Sequence, residues 1–194
     1  MQEQTKKRLG FAMCGSYCTH DKALGVLRAL TAVYEIVPIF SYNVMTTDTR
    51  FGTHTSLYEK VSAICSHEPV STITEAEKLG PSAPLDVMLI CPCTGNTAAK
   101  LAAGITDTPV TMAAKAHLRN SRPLVIALAT NDALSGNIVN IGKLMQRKNI
   151  YFTPMRQDDT VGKPYSLVAD FSLCAEAVAA ALDGNGRELR PLFE

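Results

Sequence analysis

The sequence lacks long apolar runs and any excess of one charge, which excludes several classes of protein. Its longest unbroken apolar stretches, such as residues 87–91 and 124–129, are far short of the ~20 residues that span a bilayer. The 19 lysines and arginines are balanced by 18 aspartates and glutamates, and no run of five like charges indicates nucleic acid or an anionic membrane as a partner. The apolar stretch 9–14 is too short for a signal peptide, so we expect a cytoplasmic protein.

Motifs for metals and for the larger nucleotides are also missing. The six cysteines lie mostly in or beside apolar runs, which is typical of reduced, buried thiols. Neither Cys14 with Cys18 nor Cys91 with Cys93 has zinc-ligand spacing, so we expect no metal. Residues 10–16 lack the Gly-Lys-Ser/Thr of a P-loop, and no Gly-x-Gly-x-x-Gly occurs, which disfavours ATP and dinucleotides. A mononucleotide fits the sequence better.

Short apolar runs alternate with helical patterns along the chain, which is typical of βαβ units. We predict an α/β fold for residues 1–194 as one domain: a three-layer, Rossmann-like or flavodoxin-like parallel sheet with helices on both faces. The predicted strands are residues 9–14, 34–40, 86–91, 123–129 and 150–153. The predicted helices are residues 22–33, 56–65, 74–77, 96–103, 109–119, 137–146 and 167–182. Thr55 is the expected N-cap of the second helix, and Thr74 with Glu77 has capping-box spacing.

Small and polar residues follow each of the first four predicted strands. Ligands of open parallel sheets bind outside the carboxyl ends of the strands. Residues 14–16, 41–43, 91–97 and 130–132 occupy those positions, and at least three of these loops lead into a helix N-terminus, which favours an anion. Any one of them is equally well explained as a tight turn with a cap, but four together predict an edge that binds a phosphate and a polar ring.

Several blocks of sequence resemble a known superfamily of flavoproteins, the one that contains the homo-oligomeric FMN-dependent cysteine decarboxylases. These blocks are residues 14–17, Ser41, 91–104 with 106–107, and 129–131, in the same order. A narrower resemblance, to the B subunits of dipicolinate synthase from spore-forming bacteria, covers nearly the whole chain. It rests on residues 48–52, 75–77, 91–101, 105–120, 130–132, 148–152 and 156–159.

The resemblance implies non-covalent FMN as the cofactor. It places Gly15, Ser16 and Ser41 near the phosphate. It places a second group around the flavin ring and ribityl chain: Pro92, Thr94, Gly95, Asn96, Thr97, Thr130 and Asn131. Lys100, one turn into the helix that follows, could stabilise negative charge on a reduced flavin, or it could be a solvated helix residue.

The narrower resemblance also implies a reaction and partners. These B subunits work with a nicotinamide-binding A subunit in the two-electron oxidation of dihydrodipicolinate to dipicolinate, in the mother-cell cytoplasm of a sporulating bacterium. The expected assembly is a homo-oligomer that also binds the A subunit. One alternative is a non-catalytic flavin-binding subunit that completes its partner's site. A weaker one is a decarboxylase-like or prenyltransferase-like flavoenzyme, although residues 74–78 lack the histidine that the decarboxylases carry in that region.

A substrate with two carboxylates requires cations, and the guanidinium fork of arginine matches a carboxylate. Arg50 is the first candidate, because it follows the carboxyl end of the second strand. Lys115 and Arg119 share one face of a predicted helix, which is also how a solvated surface looks. Asn131 could direct the ring. His54 is isolated in the sequence and is interpreted as an ordinary loop or cap residue.

Overall fold

The computed structural model describes residues 6–186, and in that range a seven-stranded sheet forms its centre. The parallel strands are β1 (Arg8–Met13), β2 (Glu35–Phe40), β3 (Val87–Cys93), β4 (Leu124–Thr130) and β5 (Ile150–Phe152). They lie side by side in the order β2, β1, β3, β4, β5. This is the flavodoxin-like strand order, and the predicted α/β fold class is confirmed.

Two short antiparallel strands extend the sheet beyond the parallel part. In β7 (Leu167–Ala169), Val168 lies opposite Ala129 near the end of β4, and β6 (Met155–Arg156) pairs with β7. The prediction of one helix over residues 167–182 is therefore wrong in its first part. Residues 167–169 form a strand beside β4, and the α-helix begins only at Cys174.

Eight α-helices are present in the described residues. They are α1 (His20–Thr31), α2 (Tyr42–Thr46), α3 (His54–Cys65), α4 (Ile73–Glu77), α5 (Gly95–Ala103), α6 (Pro109–Leu118), α7 (Ile138–Met145) and α8 (Cys174–Leu182). All except α2 overlap a predicted helix. The short helix α2 lies in a polar stretch that the sequence analysis treats as a loop. Within residues 6–186, no helix has both the length and the apolar character needed to cross a membrane.

Hydrogen bonds accepted by threonine side chains fix where several helices begin. Thr94 and Thr108 cap α5 and α6, and each hydroxyl accepts the backbone N–H three residues further on. Gly104 ends α5 in the left-handed conformation, with φ 74°, as the sequence predicts. The loops at both ends of α5 are therefore set by local chemistry.

The predicted caps of α3 and α4 stand two residues too late in the sequence. Thr53, not Thr55, caps α3, and its hydroxyl accepts a backbone N–H at 3.2 Å. The capping box of α4 joins Thr72 to Glu75 rather than residues 74 and 77. Each helix has more than one threonine near its start, so the spacing alone does not show which threonine is the cap.

The core has one apolar layer on each face of the sheet. Leu9, Phe11 and Met13 of β1 point into a cluster formed with α1, α3 and α8. Ala12, between them in sequence, points into the opposite cluster, formed with α4, α5, α6 and α7. This alternation is the pleat of a strand that is buried on both faces, so the helices form the two outer layers of a three-layer protein.

Most of the thiols lie in this core. Five of the six cysteines are buried, namely Cys14, Cys65, Cys91, Cys93 and Cys174, whereas Cys18 is exposed. Burial raises the pKa of Cys14 to about 11 and the pKa of Cys65 to about 11. A raised thiol pKa leaves little thiolate at neutral pH, and the thiolate is the reactive form.

We predict that an alkylating reagent at mildly alkaline pH modifies the native protein rapidly at Cys18 alone. The buried thiols should react only when the protein unfolds, because they are shielded from the reagent and burial also raises the pKa of Cys14 and Cys65. Mass spectrometry of labelled peptides over time measures this, and a Cys18→Ser variant should lose the fast phase. Rapid labelling of Cys14 or Cys93 in the native protein would contradict the burial described.

Candidate functional site

Backbone hydrogen bonds hold the carboxyl ends of β1, β2 and β3 together. The N–H of Ser41 donates to the carbonyl of Met13 at 3.0 Å, and the N–H of Cys14 donates to the carbonyl of Pro92 at 3.1 Å. The loops that follow these three strands therefore start side by side. This is the edge at which parallel sheets bind ligands.

Ser41 carries a polar group that lacks a partner. Its hydroxyl is buried and makes no hydrogen bond within the described residues. Ser41 occupies the N-cap position of α2, yet its side chain forms no capping bond. Leaving a buried polar group unpaired costs ~1 to 3 kcal/mol, so a bound group is the expected partner of this hydroxyl.

The turn after β1 is small and tied to α2. A Cβ at Gly15 would lie 3.3 Å from the ring of Tyr17, so a larger side chain would crowd the turn. The Tyr17 hydroxyl donates to the carbonyl of Asn43 at 3.0 Å, which fixes the turn against α2. Gly15 and Ser16 therefore present backbone and a small hydroxyl beside Ser41, which suits a phosphate.

The hydroxyls of Thr94 and Thr97 are used inside the protein. Thr94 Oγ1 accepts the backbone N–H of Thr97 at 3.3 Å and donates to Thr97 Oγ1 at 3.1 Å. Thr97 Oγ1 in turn donates to Cys14 Sγ at 3.3 Å. These two threonines shape the turn after β3, and the exposed side chain of Asn96 between them is the one presented to solvent.

Asp132 joins the end of β4 to the start of α5. Its Oδ1 accepts the Thr130 hydroxyl at 2.6 Å, and its Oδ2 accepts the Asn137 amide at 2.7 Å. A Cβ at Gly95 would lie 2.6 Å from Thr130 Oγ1 and 2.6 Å from Asn137 Nδ2, so this cluster requires glycine there. The sequence places Asp132 at the strand end, but no motif marks it as a member of the site.

Lys100 is not free to face a ligand at this edge. Its ammonium contacts both carboxylate oxygens of Asp107, at 2.9 and 2.8 Å. The hydrogen bond from Lys100 holds the pKa of Asp107 below its usual range. Of the two interpretations that the sequence allows for Lys100, the structure favours a helix surface residue in an ion pair.

The other polar candidates are exposed. The amide of Asn131 lies in the loop after β4, next to Thr130. Arg50 lies in the loop between α2 and α3, and its guanidinium carbon is 4.8 Å from the centre of the Phe51 ring. Both side chains are therefore available to a ligand.

Lys115 and Arg119 lie away from this edge. Lys115 is exposed and lines a groove with Thr106 and Arg147. Arg119 stands at the end of α6, near the amino end of β4, since the ring of the neighbouring His117 lies 2.8 Å from the carbonyl of Pro123. Within one chain the structure does not bring Arg119 to the loops that follow the strands.

The two members of a histidine–carboxylate pair flank Arg50 in the sequence. His54 Nδ1 is 2.6 Å from Asp48 Oδ1, and the His54 backbone N–H donates to the same oxygen at 2.9 Å. These two hydrogen bonds hold the pKa of Asp48 below its usual range. His54 lines a surface pocket that also reaches Tyr17. No sequence pattern predicts this pair, because a loop, and not a helical or strand period, brings residues 48 and 54 together.

Two features of this edge fit a flavin mononucleotide. The unpaired Ser41 hydroxyl and the Gly15–Ser16 turn suit its phosphate, and the exposed amides of Asn96 and Asn131 suit a polar ring. The chain belongs to the flavoprotein family, whose profile matches residues 1–170.

Two relatives of this chain indicate a narrower group than the family match does. It is 44% identical over 188 residues to the B subunit of dipicolinate synthase from Bacillus subtilis (strain 168), a match that covers 96% of this chain and 93% of that protein. Its fold matches the crystal structure of the dipicolinate synthase B subunit from Bacillus halodurans C with a TM-score of 0.89, at 41% identity over 98% of this chain and 97% of that one.

A more distant structure shares the fold. The FMN-dependent cysteine decarboxylase SpaF has a TM-score of 0.64 and 22% identity, over 94% of this chain and 97% of that one. The predicted cofactor, FMN, is confirmed at the level of the family. The resemblance to dipicolinate synthase B subunits that the sequence shows is confirmed by these comparisons.

We predict that Ser41→Ala weakens FMN binding about tenfold while leaving riboflavin binding nearly unchanged, because Ser41 is assigned to the phosphate. Fluorescence titration with both flavins measures the two dissociation constants. Ser62→Ala is the matched control, since the Ser62 hydroxyl in α3 is also buried without a partner but does not lie at the strand ends. Equal effects of Ser41→Ala on both flavins would contradict the phosphate assignment.

Proposed function

We propose that this chain is the FMN-binding subunit of a dipicolinate synthase and takes part in the two-electron oxidation of dihydrodipicolinate to dipicolinate. The observation that carries the proposal is the 44% identity, over nearly the whole chain, to the B subunit of a dipicolinate synthase. We place the protein in the mother-cell cytoplasm of a sporulating bacterium, where it works together with the nicotinamide-binding A subunit.

The chain's own residues would hold the cofactor at the carboxyl edge of the sheet. We assign Gly15, Ser16 and Ser41 to the phosphate. The ring and ribityl chain are assigned to the loops after β3 and β4, through Pro92, Thr94, Gly95, Asn96, Thr97, Thr130 and Asn131. FMN, when bound, supplies a two-electron acceptor. The protein supplies orientation, hydrogen bonds and exclusion of competing reactions.

The substrate loses two hydrogens when its ring becomes aromatic, one as a hydride with the electron pair and one as a proton. Arg50 is our candidate for binding a carboxylate, because its guanidinium is exposed and lies at the same end of the sheet as Ser41. His54 is our candidate for accepting the proton, since Asp48 orients its imidazole at 2.6 Å. Orientation by such contacts contributes up to ~7 to 11 kcal/mol toward a barrier.

We also propose a homo-oligomer that binds the A subunit. Exposed apolar side chains near the strand ends support an interface there, in two groups: Tyr42 and Phe51 on one side, and Leu134, Ile138 and Tyr165 on the other. Contact between the loop after β4 and the segment before β7 supports treating the second group as one surface, since the Leu134 N–H donates to the Tyr165 carbonyl at 2.9 Å.

The decarboxylase alternative has less support. The segment where the decarboxylases resemble one another in a histidine forms α4 here, and Glu75 in that helix is used in the capping box with Thr72. The alternative of a non-catalytic flavin subunit is separated from the main proposal by experiment.

We predict that the flavin absorbance bleaches as dipicolinate forms when dihydrodipicolinate is mixed anaerobically with the FMN-loaded chain and its nicotinamide-binding partner. The physical reason is that aromatisation drives hydride loss to the oxidised acceptor beside it. Bleaching with this chain alone would assign the hydride acceptor to it, and bleaching only in the complex would indicate a shared site.

The opposite outcome is equally informative. If dipicolinate forms while the flavin stays oxidised and a nicotinamide is reduced, the proposed catalytic role is wrong. The chain would then have the supporting role. Absence of dipicolinate formation by the complex would contradict the reaction itself.

A further inference from the structure

The hydroxyl groups at the ends of β3 and β4 differ in how much of their hydrogen-bonding capacity is already used. A threonine hydroxyl has one proton to donate and two lone pairs that accept. Thr94 donates to Thr97 and accepts from its backbone, while Thr97 donates to Cys14 and accepts from Thr94. Each of these hydroxyls therefore keeps only one lone pair for a ligand.

Thr130 is different because only its proton is used. Its hydroxyl donates to Asp132 Oδ1 at 2.6 Å, and the structure shows no donor bonded to its oxygen within residues 6–186. Both oxygens of Asp132 accept hydrogen bonds, one from Thr130 and one from the Asn137 amide. This is the arrangement of an ionised carboxylate, which accepts and cannot donate.

The orientation of this cluster is fixed from outside as well. Asn137 directs its amide nitrogen to Asp132 because its own oxygen accepts the amide of Asn140 at 2.9 Å. Gly95 presses against the cluster from the N-terminus of α5, where negative charge is favoured. The Thr130 proton is therefore committed to Asp132, and the Thr130 oxygen can meet a ligand only as an acceptor.

We propose that Asp132 is a positioning residue that makes Thr130 the hydrogen-bond acceptor for the ring N–H of the flavin's pyrimidine edge. That edge carries one N–H between two carbonyl groups, so it needs one acceptor flanked by donors. Asn131 directly follows Thr130, Asn96 lies at the start of α5, and the exposed amides of both can supply donors. The inference rests on the proposed placement of FMN at this edge but not on the reaction.

The test compares FMN with its N3-methyl analogue, which has no proton at that position. The native protein should bind FMN at least about tenfold more tightly than it binds the analogue. Thr130→Val, which removes the hydroxyl at nearly constant shape, should abolish this preference, and Thr130→Ser should keep it. Asp132→Asn should reduce the preference, because an amide can donate to Thr130 and free the Thr130 proton to point elsewhere.

A spectroscopic measurement separates positioning from a merely structural role. With 15N-labelled FMN, the N3–H signal of the native complex should show slow solvent exchange, and Asp132→Asn should accelerate that exchange even where FMN still binds. The double variant Asp132→Asn with Thr130→Val should show no smaller preference for FMN over the N3-methyl analogue than Thr130→Val alone. Circular dichroism confirms that each variant is folded before it is scored.

Two different failures remain distinguishable. If FMN binds and the native protein does not prefer it over the N3-methyl analogue, or if Thr130→Val keeps the preference, this inference is wrong while the proposed function stands. If FMN does not bind the native protein at all, the proposed flavin function fails first.

Discussion

Two backbone hydrogen bonds hold the carboxyl ends of β1, β2 and β3 side by side. They run from Ser41 to Met13 at 3.0 Å and from Cys14 to Pro92 at 3.1 Å. The arrangement of the candidate site depends on this alignment. It brings the Gly15–Ser16 turn, the unpaired Ser41 hydroxyl and the start of α5 to one edge, although they are far apart in sequence. The two apolar layers keep the edge rigid, because each of these strands contributes buried side chains to both faces.

Hydrogen bonds within the edge decide which groups remain for a ligand. Thr94, Thr97 and Lys100 are engaged with other residues of the chain. The Ser41 hydroxyl is buried without a partner in the part of the chain that the structure describes, and the amides of Asn96 and Asn131 are exposed. Fewer side chains of this edge are therefore free to bind a ligand than its composition indicates.

The succession of the parallel strands and of most helices along the chain could be predicted from the sequence, because apolar runs and threonine or glycine caps are local signals. The strand β7 could not, since three residues give too short a period to separate from the Ala-rich helix that follows. The residues that form the loops after the first four strands could also be predicted. Which side chains are free in those loops was not, because the contacts of Asp132 with Thr130 and of Lys100 with Asp107 depend on packing.

The same limit applies to the Asp48–His54 pair and to Arg119. A loop brings Asp48 and His54 together, and a loop has no periodic sequence pattern that would predict the contact. Lys115 and Arg119 share one helix face, but neither lies at the carboxyl edge, and the direction of α6 carries Arg119 toward the amino end of β4. The sequence shows which of these residues are charged, whereas only the fold shows which of them lie at the carboxyl edge of the sheet.

The central claim is that this edge of the sheet is the flavin site, and a crystal structure of the chain grown with FMN tests it most directly. The account predicts the phosphate within hydrogen-bonding distance of the Ser41 hydroxyl and of the Gly15–Ser16 turn, with the ring between the loops after β3 and β4. Flavin bound elsewhere, with the Ser41 hydroxyl still unpaired, would contradict it.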